Sequence, residues 1–199
     1  MSIQQSAPSI QPIDIESKAA MVETNTMLTR PDRSEYADFY ASYIARVPDA
    51  NVIAFLANQP TAYRKLLGSL SQEASSARPQ PGKWNVKEII GHLCDAERVL
   101  SYRALRFARG DQKELHGFEQ DDYVREAHSD TRSLADLLDE LEGIRKSTIV
   151  LFGSLPPDVE QRSGVANGSP VTVRAMAYII AGHTQHHYDL LKQRFDKAA

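Results

Sequence analysis

Apolar positions recur at steps of three and four residues along most of the chain, which predicts long amphipathic α-helices. Four such helices are predicted, over residues 51–70, 86–109, 134–155 and 171–195. The second begins at Val86, because Asn85 and Glu88 have the spacing of a capping box. Pro60 lies inside the first helix and removes a backbone hydrogen bond, so a kink or a break is predicted just before it.

The segments between these helices are more polar and carry less periodicity. Residues 1–30 show no sustained apolar period, which predicts a mobile arm ahead of a single domain over residues 31–199. A short helix is predicted from Ser34 onward. The connection over residues 112–131 holds acidic and aromatic side chains, which either contact a substrate or tie the loop to neighbouring arginines. Residues 158–168 are predicted to be a polar connection, with Pro170 at the start of the last helix.

Composition narrows the class of protein. With 199 residues the chain suits one domain, and its net charge of -3 gives no electrostatic footprint for nucleic acid. Cys94 is the only cysteine, which excludes an internal disulfide and fits a reducing cytoplasm. The longest apolar run, residues 175–181, is too short to span a bilayer. We therefore expect a cytoplasmic protein that binds neither nucleic acid nor membranes.

Three of the six histidines fall between positions 183 and 187, in the last predicted helix. Residues four apart on a helix are stacked neighbours, so His183 and His187 can direct ring nitrogens at one ion. His186 is three residues from His183, and spacing alone leaves it as an alternative. The apolar pattern favours the first pair, because these two histidines continue one three-and-four step set by Val173, Met176, Ile180 and Leu190.

The alternative for His183 and His187 is a structural role, with each ring satisfied by hydrogen bonds in the core. Two imidazoles side by side on one buried face need a shared ion or carboxylate, since each unpaired buried nitrogen costs roughly 1 to 3 kcal/mol. We therefore interpret the pair as half of a metal site.

His92 lies among apolar positions of the second helix and is predicted to face inward, toward that pair. A lone inward histidine is more often structural, but here a second helix offers two further imidazoles. Glu88 and Asp95 are its helical neighbours, and either could orient the imidazole of His92. The alternative for each, which we favour, is a helix cap or a surface charge. Cys94 points in another direction and is predicted to be a small core thiol.

Several segments resemble the DinB-like superfamily, which includes the YfiT-type metalloproteins. They are Trp84 to Glu88, Gly91 to Leu93, Asp95 to Arg98, Tyr102 to Arg106, Gly117 to Tyr123 and Gly182 to His187. The resemblance covers about residues 36–195. It implies an all-α, up-and-down four-helix bundle of DinB/YfiT type with a long crossover connection, forming a homodimer. It also implies one divalent ion bound by His92, His183 and His187.

The resemblance implies a metal-dependent enzyme that acts on small molecules, of the thiol-dependent transferase type, with a small-molecule substrate or a low-molecular-weight thiol as its partner. A metal-dependent hydrolase is one alternative, and a non-enzymatic protein with a structural metal is another. Imidazole ligands suit several divalent transition metals, so zinc, nickel and iron all remain candidates. No catalytic residue beyond the three ligands is predicted.

Overall fold

Four helices of 16 to 24 residues form the frame of the protein in a computed structural model that describes residues 28–197. These are α2 (Val52–Leu67), α4 (Val86–Ala108), α6 (Leu134–Gly153) and α7 (Val173–Asp196). Three shorter helices are α1 (Ala41–Ile44), α3 (Gln72–Ser76) and α5 (Gln120–Ala127). The predicted arm over residues 1–30 lies outside the described part except for its last three residues. Over the described range, no helix is long and apolar enough to cross a membrane.

The predicted helix starts are set by side-chain caps. Asn85 accepts a hydrogen bond from the backbone N–H of Glu88 at 2.9 Å, and the Glu88 carboxylate accepts one from the N–H of Asn85 at 2.9 Å. This reciprocal pair confirms the predicted start of α4. Ser133 caps α6 by accepting a hydrogen bond from the N–H of Asp136 at 3.1 Å.

The predicted break before Pro60 is wrong, because α2 runs without interruption from Val52 to Leu67. A proline inside a helix leaves the carbonyl four residues earlier without its usual donor. Here that carbonyl belongs to Leu56, and the buried guanidinium of Arg145 donates to it at 2.9 Å. A side chain from α6 thus replaces the lost backbone hydrogen bond.

A hairpin occupies the segment predicted to be a polar connection. Strand β1 (Ser163–Ala166) pairs antiparallel with β2 (Ser169–Thr172), and Asn167 and Gly168 form the turn with φ of 52° and 71°. Two consecutive positive φ values are the geometry for which Asn-Gly is preferred in a two-residue hairpin. Pro170 therefore lies in β2, and α7 begins at Val173 rather than at 171, with Thr172 as its cap.

Each of the four long helices packs against two of the others. Both α2 and α4 pack against α6, and both also pack against α7. The core between them is aliphatic and aromatic, with Leu56, Phe107, Leu137, Phe152 and Met176 fully enclosed. The predicted four-helix bundle is confirmed, with the hairpin as a minor addition.

The last residues of the predicted arm pack onto the bundle. Leu28 is buried, and its carbonyl accepts a hydrogen bond from the Tyr178 hydroxyl at 3.3 Å. Arg30 donates to the carbonyls of Ile44 and Val47 at 3.0 Å and 2.5 Å. The chain is therefore anchored to the bundle from residue 28 onward.

Candidate metal centre

Helices α4 and α7 bring three imidazoles together at one end of their contact. His92 comes from α4, and His183 and His187 come from successive turns of α7. One ring nitrogen from each histidine lies within 4.8 Å of the other two. The Nε2 atoms of His92 and His183 are 3.1 Å apart, and the centroids of the three rings are separated by 4.8 to 5.1 Å. The structure thus brings together all three residues that the sequence predicts as ligands.

The burial along α7 follows the predicted apolar face until it reaches the cluster. On this face, Val173, Met176 and Ile180 are buried. His183 is also buried, whereas His187 is partly buried. Leu190, predicted on the same face, is 46% exposed. The face therefore leaves the core at His187, which places the histidines between the packed interior and the solvent.

His186 lies outside the cluster. Its ring packs against Tyr43 of α1, with centroids 5.4 Å apart, and next to His187 at 5.2 Å. It does not belong to the group of converging nitrogens found among residues 28–197. The structure thus brings His187, and not His186, together with His92 and His183, whereas spacing alone left the two open.

Burial keeps the clustered imidazoles neutral. It lowers the pKa of His92 to about 4, against a smaller opposite effect of Asp121, and lowers the pKa of His187 to about 3, with the neighbouring histidines adding to it. Burial also lowers the pKa of His183 well below its usual range. A neutral imidazole is the form that binds a metal ion.

The hydrogen bonds around the cluster are incomplete. The Nδ1 atoms of His92 and His187 are buried and have no hydrogen-bond partner in the part of the chain that the structure describes. Two neutral rings whose Nε2 atoms face each other at 3.1 Å can share one proton or direct both lone pairs at a cation. Three neutral imidazoles, each with one ring nitrogen in a single converging group, fit a divalent transition metal ion.

Of the two roles left open for Glu88 and Asp95, the structure shows the cap and the charge pair, and neither carboxylate orients His92. The Glu88 carboxylate is occupied by the capping box and by Arg78, and Asp95 lies 3.7 Å from Arg98. Neither reaches the Nδ1 atom of His92. The ring of His92 lies instead against Trp84, with centroids 4.8 Å apart, so packing rather than a carboxylate fixes its orientation.

A cavity of about 590 Å³ opens beside the cluster, and His187 forms part of its wall. The rest of the wall combines apolar and charged side chains, namely Pro79, Gly82, Lys83, Trp84, Ile89, Asp121, Leu190, Leu191 and Arg194. Sites for small molecules have this character, with apolar walls and a few charged groups. The exposed side of the histidine cluster thus faces a space that a small molecule can enter.

Comparison with known proteins places this architecture in a family. The model of the DinB superfamily matches residues 56–191 of the chain. The chain belongs to the DinB superfamily. The four-helix bundle of this DinB-superfamily protein is similar to YfiT from Bacillus subtilis, with a TM-score of 0.67, 14% identity, and coverage of 84% of this chain and 94% of that one. YfiT is described as a probable metal-dependent hydrolase with an unusual four-helix bundle topology.

A second relative is a protein of Geobacillus thermodenitrificans that carries the provisional name of a metal-dependent hydrolase. It is 25% identical to this DinB-superfamily chain over 162 residues, covering 79% of this chain and 90% of the relative. Both relatives are thus described as metal-dependent, and a metal ion is the group that the three-histidine cluster fits.

The connection over residues 112–131 of this DinB-superfamily protein divides between the two roles left open by its sequence. Asp121, at the start of α5, lines the cavity. Phe118 and Tyr123 instead meet edge to face, with ring centroids 5.0 Å apart, and Arg103 donates to the carbonyl of His116 at 2.7 Å. One acidic residue therefore faces the candidate site, while the aromatic residues hold the connection together.

Sequence reasoning missed Tyr43. Its ring meets that of His183 edge to face, with ring centroids 5.3 Å apart. The backbone of α1 approaches α7 so closely that a Cβ added at Gly182 would lie 2.0 Å from the Tyr43 carbonyl oxygen. The glycine directly before His183 was a signal for such an approach, although it does not identify the partner.

A second buried polar cluster of the bundle lies one residue from His183. Arg145 forms a bidentate ion pair with Glu97, with both N–O distances at 2.8 Å. The same guanidinium donates to the carbonyl of Leu56, to Gln59 and to the Thr184 hydroxyl at 2.9, 2.6 and 3.0 Å. These five bonds use all five N–H donors of the guanidinium. The network links the four long helices next to the candidate metal centre.

Proposed function

We propose that the protein is a metal-dependent enzyme that acts on small molecules, and that hydrolysis is its reaction. The observation that carries this proposal is the convergence of three neutral imidazoles, His92, His183 and His187, beside a cavity of about 590 Å³. Three histidine ligands are typical of catalytic zinc, whereas structural zinc sites have four protein ligands. No fourth histidine, cysteine or carboxylate joins the group among the described residues.

These histidines would hold one divalent ion, which we propose to be zinc, nickel or iron. Such an ion supplies Lewis-acid activation of a carbonyl group and of a water molecule or a thiol. The chain's own residues supply the rest. Trp84 and Tyr43 pack against the ligand rings and fix their orientation, and the apolar wall formed by Ile89 and Leu191 excludes water from part of the cavity.

Asp121 is the residue on the cavity wall that can accept a proton. It has no ion-pair partner within residues 28–197, and its charge acts on His92. A free carboxylate beside an activated water is suited to the role of general base. Cys94 cannot be a nucleophile in this cavity, because it is enclosed in the core and burial raises the pKa of its thiol.

Thiol transfer is the alternative reaction, in which a low-molecular-weight thiol replaces water as the nucleophile. A cobalt-loaded protein distinguishes the two. A thiolate bound to cobalt adds intense charge-transfer bands in the visible spectrum, so a change on thiol titration supports transfer. Hydrolysis is supported instead when thiols leave the spectrum unchanged while a rise in pH alters it.

The first test is elemental analysis of protein purified without added metal, followed by a screen of esters, amides and thiol acceptors. We expect about one ion per chain, as the one cluster found among residues 28–197 requires. His183→Ala and His187→Ala should remove most of the metal, whereas His186→Ala should retain it. Equal loss in all three variants would show that the ligand set is wrong. We also propose that the protein is cytoplasmic and forms a homodimer, and both remain predictions.

A further inference from the structure

The charged residues on the cavity wall are not balanced. Lys83 and Arg194 are cationic, and Asp121 is the only acidic residue in the lining. None of these three side chains forms an ion pair within the described range. With the histidines neutral, the wall has one more positive than negative charge, and a bound divalent ion would add to it. A cavity of this kind favours an anionic occupant.

Arg194 is the better placed of the two cations. One of its terminal nitrogens donates to the carbonyl of Ala77 at 2.6 Å, and the guanidinium lies 5.7 Å from the ring centroid of Phe195. Its other terminal nitrogen, Nη1, is buried and has no partner in the described structure. An unused donor on an arginine without a carboxylate partner requires an explanation, and a hydrogen bond to an anionic ligand would supply one.

We propose that Arg194, assisted by Lys83, binds a carboxylate group of the substrate, at a point of the cavity separate from the histidine cluster. This inference rests on the proposed function, since it names the substrate class of the same cavity. The substrate would then be an ester or amide of a small organic acid, with its free carboxylate at Arg194 and its reacting group next to His187. The planar guanidinium fork matches the two oxygens of a carboxylate.

The charges favour a monoanion over a phosphate dianion. The wall has two cations, Lys83 and Arg194, and one carboxylate, Asp121, so a ligand with one negative charge makes the total zero. A ligand with two negative charges would leave one of them without a cation and repelled by Asp121. Like charges in a partly enclosed site repel more strongly than in water. A carboxylate is the common small monoanion with the geometry of the guanidinium fork.

The chain provides its own probe, because Trp84 is the only tryptophan and lines the cavity. We would measure the dissociation constants of butyrate and of its neutral analogue butyramide from the fluorescence of Trp84, in metal-loaded and in chelator-treated protein. The parent should prefer butyrate in both states. Arg194→Gln should weaken butyrate about tenfold and Lys83→Gln about threefold, with butyramide unchanged in both variants.

The control is Lys192→Gln, which removes one charge from an exposed position on the same helix, outside the cavity lining. It should leave butyrate binding within a factor of about two, since exposed charges are screened. Arg194→Lys keeps the charge but loses the fork, and we expect an intermediate affinity for butyrate. Circular dichroism verifies that each variant is folded.

The outcomes separate this inference from the proposed function. Equal loss of butyrate binding in the Lys192 and Arg194 variants would overturn the carboxylate site. A preference for butyrate that requires metal and survives Arg194→Gln would also overturn it, because the ion would then be the carboxylate's partner. A protein that binds no metal, yet loses butyrate affinity on Arg194→Gln, supports the carboxylate site and contradicts the metal-dependent function. Stronger binding of inorganic phosphate than of butyrate at Arg194 would contradict the monoanion assignment.

Discussion

Two polar clusters lie side by side in the bundle and have opposite states of hydrogen bonding. Arg145 and Glu97 are 1% and 2% exposed, and every donor of the guanidinium is used. His92 is nearly as enclosed, at 3%, yet its Nδ1 atom has no partner among the described residues, and neither has that of the partly buried His187. Thr184 belongs to the first cluster and is adjacent to His183, so the enclosed part of the histidine cluster differs from the Arg145 network in pairing, and only His187 lies nearer the solvent.

The difference separates a structural cluster from a ligand site. A buried polar network is stable only when its members are satisfied, and the Arg145 network meets that condition with protein atoms alone. The histidine cluster does not meet it: Nδ1 of His92 and of His187 lack partners, and the Nε2 atoms of His92 and His183 face each other at 3.1 Å, where an ion would bind. Burial alone therefore identifies neither a core nor a site.

The largest effect is expected from removing one half of the saturated cluster. Glu97→Ala leaves the Arg145 charge buried without its partner, which typically costs about 3 to 5 kcal/mol of unfolding free energy. Urea denaturation monitored by circular dichroism measures the loss. The control is Glu142→Ala in the ion pair with Arg64, whose side chains are 34% and 39% exposed and whose loss should cost below about 1 kcal/mol. Similar losses in both variants would refute a structural role for the Arg145 network.

The second effect is a gain in stability when the unsaturated cluster receives its ion. Binding to the folded state alone adds about 2.7 kcal/mol when free metal is a hundredfold above the dissociation constant. Thermal unfolding with and without a chelator should show this difference in the parent and in His186→Ala. It should be absent in His183→Ala. A chelator that leaves the parent's melting temperature unchanged would contradict the metal site.

The third effect concerns the metal-free protein at mildly acidic pH. Burial lowers the pKa of His92 to about 4 and that of His187 to about 3, whereas the unfolded histidines titrate near 6.5. The unfolded chain therefore binds protons first, so stability is complete above pH 6.5 and falls as the pH drops toward 4. Each histidine contributes up to about 1.4 kcal/mol per pH unit in this window.

Urea unfolding at pH 7.5, 6.5 and 5.5, in the presence of a chelator, tests this pH dependence. His187→Leu removes one of the buried histidines, and its stability should fall less steeply with pH than the parent's. Glu35 is not responsible in this range. Burial tends to raise its pKa, but hydrogen bonds from Arg174 and Thr172 lower it to about 2, so its contribution is lost only below pH 4.5. Parallel pH profiles for the parent and His187→Leu would contradict the assignment.

The sequence predicted the histidine cluster because its signal is local. His183 and His187 repeat with the helical period, and the cap at Asn85 sets the rotation that turns His92 inward. The saturated cluster has no local signal, because Glu97 and Arg145 are 48 residues apart and each resembles a surface charge in its own helix. Arg194 was missed because it too resembles a surface charge in its own helix. The hairpin did have a signal in Asn167-Gly168, which the flanking polar residues obscured.

The smallest effect is expected at Thr184, where the two clusters meet. Its hydroxyl accepts a hydrogen bond from Arg145 at 3.0 Å and donates one to the carbonyl of Ile180 at 2.9 Å. Thr184→Val removes both bonds while keeping the shape, and should cost about 1 kcal/mol because Arg145 retains its other partners. Thr184→Ser keeps the hydroxyl and is the matched control for that loss. Measuring the metal affinity of these variants shows whether the Arg145 network and the histidine cluster are coupled. If the Arg145 network positions His183, Thr184→Val should weaken metal binding several-fold, and Thr184→Ser should restore it. Equal metal affinity in both variants would show that the histidine cluster holds its geometry without the network.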